Sequence, residues 1–337
     1  MKWIWVFFIS LVWGFAQSAD NHRMSLDVLV TDKAGKPVPG LQQQDFTLLD
    51  NKKAQKVEGF RAVQGSKSND PIEVVLLIDS VNTAFTKVAF ARDQVEKFLH
   101  RDNGELARPV SLAFLTDSGL VFGNPASRDG NAVATEVDQK LLGLRTFSRR
   151  EGVFADDELL TLSLNAIQQL IQHEISKPGR KLVIWISPGW PLLSGPGMDL
   201  QMTQKQKQDI FNSVVGFSEG LQTARITLND VDPLGMSDAG GFRTFAYEEF
   251  LKGVKSPSQV QYGNLALQVL AVQSGGRVLN SGNDVAGEIA QCADDANVFY
   301  NLSFALPEEG PAEYHAVEIK MAKKGLTAHA RTGYYAR

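Results

Sequence analysis

The residues best placed to do chemistry share one turn, Ile78-Asp79-Ser80-Val81-Asn82-Thr83, where an apolar run ends on a carboxylate followed by oxygen-bearing side chains. Carboxylate and hydroxyl oxygens gathered this closely can ligate a hard divalent cation such as Mg2+. They can also do something plainer, with Asp79 capping its own turn and Asn82 or Thr83 capping the helix that follows. Both readings stand at this level. Other constellations offer less. His22, His100, His173, His315 and His329 are far apart and form no His-x-x-x-His pair, the spacing that ligates a metal from one helix face. Ser194 lacks the leading glycine of a nucleophile elbow. Gly195-Pro196-Gly197 lacks the third glycine of a dinucleotide fingerprint, and no Gly-x-x-x-x-Gly-Lys phosphate loop is present. Cys292 is the single cysteine, so no intramolecular disulfide or multi-cysteine metal site can form. Its neighbours Asp294 and Asp295 raise a thiol pKa where they face it, the wrong direction for a nucleophile. No enzyme is expected.

The elements around the turn must hold it at the end of a sheet. Val74 to Ile78 is continuously apolar, as a strand covered on both faces requires. Helical spacing follows over 85–99, a strand pair over 110–115 and 120–122 flanks Asp117-Ser118-Gly119, and Leu160, Leu164, Ile167, Ile171 and Ile175 mark an amphipathic helix. Leu182 to Ile186 reads as a second buried strand. A helix around 210–221, a strand over 224–228, a helix around 267–271 ending at Gly275-Gly276, a short strand at Val278-Leu279 and a helix over 284–293 follow. Strands alternating with helices imply a doubly wound, mostly parallel sheet, with ligands at the carboxyl ends of the strands. Asp117, Asn229, Asp230 and Asp232 fall near such ends, where together they could draw a cation or a basic partner.

Both ends of the chain read differently. Residues 24–65 and 298–335 carry strand patterns broken by turns such as Asp32 to Gly40, Asn51-Lys52-Lys53 and Lys323-Lys324-Gly325. Residues 20–69 and 297–337 are therefore expected to form one antiparallel β unit, with the α/β domain, residues 70–296, inserted between them. The opening run Trp3 to Phe15, followed by small residues up to Ala19, has the profile of a secretory signal peptide. As a helix it rises about 20 Å, short of the ~30 Å hydrocarbon core. An exported chain, periplasmic or extracellular, with residues 1–19 removed and no membrane span in the remainder, is the expectation. With 34 Lys+Arg against 38 Asp+Glu and a net charge of -4, the chain has no global positive excess to neutralise a phosphate backbone, so nucleic acid is not an expected partner.

The Val74–Asp79 strand, the hydroxyl-bearing turn, the helix after it, the strand hairpin and the later Val183-Ile184-Trp185-Ile186-Ser187-Pro188-Gly189 resemble the von Willebrand factor type A domain. Val30 to Leu41, Asp45-Phe46 and the closing Ala330-Arg331-Thr332-Gly333-Tyr334-Tyr335 resemble the flanks of exported type A-related proteins common in Acidobacteria. The resemblance implies a metal-ion-dependent adhesion site, built from an Asp-x-Ser-x-Ser turn, a Thr from a second loop and an Asp from a third. Here Asp79 and Thr83 match the first and last positions of the turn, as the metal ligands the resemblance implies. Val81 stands at the middle position and offers no oxygen, and Pro188 stands where the third-loop carboxylate belongs. The second-loop region, residues 152–157, has no threonine, leaving Asp156 or Asp157 to substitute. A degenerate site follows, holding a divalent cation weakly or not at all. The implied function is binding of a protein ligand, with Ser80, Asn82, Asp117, Asp156, Ser187, Gly189 and Trp190 in the contact face. The alternative is a structural scaffold of the cell envelope, assembling through exposed aromatics such as Trp190 and its neighbour Leu192, with an inert site.

Overall fold

Residues Ile72–Asp79 form β5, the middle of a seven-stranded sheet, in a computed structural model that describes residues 23–65, 71–141, 153–191, 202–234, 246–280, 282–306 and 313–336. The expected leader, most of the linker before Pro71, and Leu192, Ser194 and Gly195 to Gly197 lie outside the described residues. β5 pairs in parallel with β6 (Glu105–Thr116) on one side and β9 (Arg180–Ile186) on the other. The parallel pairing continues through β10 (Ile226–Val231) to β11 (Val278–Leu279). At the other edge β7 (Gly119–Phe122) and β8 (Ser127–Asp129) pair antiparallel with β6. The sheet order is β11-β10-β9-β5-β6-β7.

Side chains alternate along β5, and each set finds its own helices. Val74, Leu76 and Ile78 pack with α1 (Phe85–Leu99), α2 (Gly130–Leu141) and α6 (Val285–Asp294) through Val95, Val137 and Ile289. Val75 and Leu77 pack with α3 (Val153–Glu174), α4 (Gln204–Thr223) and α5 (Leu267–Ser274) through Ile167, Val214 and Leu270. Helices therefore cover both faces, which is what makes an all-apolar strand sequence stable at the centre.

The chain ends pair with each other. β1 (Arg23–Thr31) lies antiparallel to β12 (Val298–Ala305), which in turn pairs with β4 (Gly59–Gln64), while β14 (Thr327–His329) completes that sheet beside β1. A second sheet runs β15-β13-β2-β3, from Gly333–Ala336, Glu313–Met321, Phe46–Asp50 and Lys53–Gln55. The inward residues of both sheets, among them Leu26, Val28, Leu48, Tyr300, Phe304 and Val317, form one cluster.

The sandwich grips the amino ends of the parallel strands. Arg180, which opens β9 and is buried, sits 3.6 Å from Asp27 of β1 and over the ring of Phe299 at 4.3 Å. Arg225, just ahead of β10, approaches the same carboxylate at 3.7 Å. Arg277, just ahead of β11, donates to the Gly35 carbonyl at 2.9 Å and pairs with buried Asp295. Arg108, near the start of β6, donates to the Gly65 carbonyl at 2.8 Å. The carboxyl ends point the other way.

Some expectations shift. The strand placed at 224–228 runs instead from Ile226 to Val231, because Arg225 turns at a positive φ of 54°. The extended stretch Thr327 to Tyr335 is two strands in different sheets. The break falls at Arg331, which is buried and donates to the Ser218 carbonyl at 3.1 Å. The N-cap of α1 is Ala84, with no side-chain hydrogen bond, so neither Asn82 nor Thr83 caps that helix. α2 and the short 3-10 turns at Ala246–Phe250, Pro257–Gln259 and Tyr262–Leu265 are additional to the sequence reading. No helix among the described residues is long and apolar enough to cross a membrane.

Candidate functional site

The strand order reverses between β5 and β9, one connection running away on each side, and this places the ends of both strands beside a crevice. Asp79 closes β5 there, and Ser187 directly follows β9. Ile78 pairs with Ile186 and Leu77 with Trp185, so alternation puts Asp79, Trp185 and Ser187 on one face.

Asp79 is only 1% exposed, yet it is not short of partners. The backbone N–H groups of Val81 and Asn82 donate to its Oδ1 at 3.0 and 2.8 Å. Its Oδ2 receives the Asn82 amide at 2.9 Å, the Ser187 hydroxyl at 2.9 Å and the Trp185 indole N–H at 3.2 Å. The Asn82 amide also reaches the Ser163 hydroxyl of α3 at 2.9 Å, so the turn is tied to the helix above it. Ser187 Oγ in turn accepts the Gly189 N–H at 3.1 Å. Gly189 has a φ of 90°, a backbone conformation that side chains with a Cβ rarely adopt, so the turn requires glycine. Trp190 packs edge-on against Trp185, with centroids 5.2 Å apart.

These residues do not fit a divalent cation. A carboxylate has about four lone-pair positions, and five donors already point at Asp79. The hydroxyl of Ser80 donates to the Leu115 carbonyl at 2.6 Å, and that of Ser187 donates to Asp79 itself. Val81 and Pro188 bring no side-chain oxygen. Thr83 Oγ1 is buried with no hydrogen-bond partner among the described residues, and a single such oxygen does not make a coordination sphere. Nor is there, among the described residues, any group of three or more His, Cys, Asp or Glu that could hold a metal.

The site thus gathers Asp79, Ser80, Asn82, Ser187, Gly189 and Trp190. Asp117, on the β6–β7 turn, and Asp156, in the first turn of α3, lie apart from this network and are exposed. Asn82, Thr83, Ser187 and Trp190 are buried, so they shape the face from beneath and cannot touch a partner directly. The expectation of an exposed Trp190 is corrected: it is 4% exposed, held in the core by Trp185, and Leu192 lies outside the described residues. Trp185, which the sequence offers either as core of a buried strand or as part of an aromatic contact patch, is fully buried. Its chemical role was visible only in its parity with Asp79 across neighbouring strands.

Further along the same end, Asp230 is fully buried, and burial, together with the nearby charges of Asp232 and Asp79, pushes its carboxyl well above the usual range. Tyr247 is pushed up to about 12 by burial and by Glu248 and Asp230. Cys292 is buried in α6 and its thiol is raised well above the ordinary value, first by burial and then by Asp295.

No protein-family model and no curated protein matches the chain. Among solved structures it is similar to the pilus adhesin SpaC from Lactobacillus rhamnosus GG, at 8% identity and a TM-score of 0.38, over 87% of this chain and 48% of that one. The chain thus spans about half the length of that structure.

Proposed function

We propose that this chain is an exported, non-enzymatic protein-binding module, with a doubly wound von Willebrand factor type A-like domain whose carboxyl-end face contacts the partner. The observation that carries this reading is the division of the sheet's two ends. Arg108, Arg180, Arg225 and Arg277 commit the amino ends to the sandwich, while the opposite end holds the strand-order reversal and the exposed Asp117 and Asp156. Crevices at such reversals are where open α/β sheets bind ligands. The leader-like run Trp3 to Phe15 supports export. The non-enzymatic reading is supported by Cys292, the single thiol, which burial and then Asp295 hold well above the ordinary thiol range.

The test is cross-linking capture from envelope extract with the full mature chain. Capture of a defined partner by the parent and by Glu318→Arg, a surface control on the sandwich, but not by Asp117→Arg/Asp156→Arg, is the expected result. Equal capture by all three, or none by the parent, defeats the reading.

A further inference from the structure

The donor set around Asp79 is that of a carboxylate held without a metal, and the most rigid donor in it also repels one. The Trp185 indole, on the strand between β5 and β10, is wholly buried and packed against Trp190, so its N–H cannot rotate away from Asp79 Oδ2 as a hydroxyl proton could. A cation approaching that oxygen meets the positive end of a fixed N–H dipole. The Ser187 hydroxyl has its proton directed at the same oxygen and one of its two lone pairs engaged by the Gly189 N–H, so a single lone pair is left on it. Oδ1 is equally engaged by two backbone N–H groups, which are fixed by the turn itself.

We propose that the Asp79 turn is a cation-free site, in which N–H and O–H donors from β9 and the turn occupy the positions that a divalent ion would need, so that recognition at the carboxyl-end face is independent of divalent metal. This rests on the preceding reading for where the partner binds, whereas the cation-free state is a property of the chain alone and is measured without a partner.

Two thermal-unfolding measurements on the full mature chain decide it. In the first, Mg2+, Mn2+ and Ca2+ are titrated against the EDTA-treated parent. A ligand that binds only the folded state, at about a hundredfold excess over its dissociation constant, raises the melting temperature by several degrees. The expected result is no saturable rise. A saturable rise that Asp79→Asn abolishes overturns the proposal. The second compares the parent with Asp79→Asn in EDTA. A ligand carboxylate without its metal gains from losing its charge, so a metal site predicts an equal or higher melting temperature for the variant, and that result counts against the proposal. A carboxylate satisfied by five donors predicts a fall of several degrees, because the amide turns an N–H group toward them. If Asp79→Asn does not fold in EDTA, the carboxylate is needed without metal, as proposed, and the parent titration still stands. Partner capture that survives EDTA follows from the proposal. A parent that captures nothing defeats the binding reading and leaves the cation result intact.

Discussion

At the scale of single residues, Asp79 shows how a sequence position keeps its place while its chemistry changes. Removing one member of a buried, fully satisfied network costs more than the mean hydrogen bond, because the remaining donors are left unpaired. Asp79→Asn is expected to cost about 2–4 kcal/mol in urea unfolding at pH 7, and Trp185→Phe about 2 kcal/mol, since one donor to a carboxylate is lost and the smaller ring leaves a void. A smaller cost for Asp79→Asn than for Trp185→Phe would contradict this ranking. The turn-capping alternative for Asp79 was legible from the residue types alone. The indole donor was not, because a tryptophan in an apolar run reads as core, and only the parallel register of β9 against β5 brings it to Oδ2. His329 supplies a pH dependence at the same scale. Burial, with Arg277 nearby adding to it, lowers its pKa to about 4 from an ordinary 6.5, and its Nε2 lies 3.1 Å from Thr31 Oγ1. A depressed histidine favours the folded state above its unfolded pKa, and that advantage is lost as pH falls through the folded value. Stability is therefore expected to decline between about pH 6.5 and 4, with a shallower decline in His329→Gln. Parallel profiles for parent and variant would remove His329 as the cause.

At the scale of elements, the strands and helices facing the main core follow from periodicity, and the pieces that escape it have few apolar residues to show. α2 buries Val133, Ala134 and Val137 and presents polar groups elsewhere, so its stripe is too thin to stand out. Its start is nonetheless marked. Asp129 Oδ1 accepts the Asn131 and Ala132 N–H groups at 3.0 and 3.1 Å, the role of an N-cap. Asp129 is exposed, so Asp129→Ala tests the cap with little else disturbed. A loss of about 1 kcal/mol is expected, read from the urea midpoint at unchanged slope. An unaltered midpoint would mean that packing, not capping, fixes the start of α2. The break between β14 and β15 was illegible for a different reason. A strand that leaves one sheet for another keeps its alternation, and only the long-range contact of Arg331 with α4 shows where it crosses.

At the scale of the whole molecule, the arginines at the amino ends of the sheet lock two differently built units together. Arg180 is nearly inaccessible, and burial lowers its pKa while Asp27 and Asp295 oppose that shift. Withdrawing the charge of Asp27 leaves a buried cation undercompensated. Asp27→Asn is therefore expected to cost about 3 kcal/mol, measured as global unfolding in urea. A cost below that of an exposed surface pair, about 1 kcal/mol or less, would show that Phe299 and Asp295 suffice to hold the guanidinium. The pairing of the two chain ends bears on biogenesis. Asn301 of β12 donates to Asp27 of β1 across 274 residues of chain. At about 5–20 residues per second of synthesis, β1 waits roughly 14–55 s for β12. Throughout that interval Leu26 and Val28 lack the strand they are built to pack beside. The order of synthesis therefore imposes a holding period on the nascent chain, in which β1 is a site for chaperone capture and the arrival of β12 ends it.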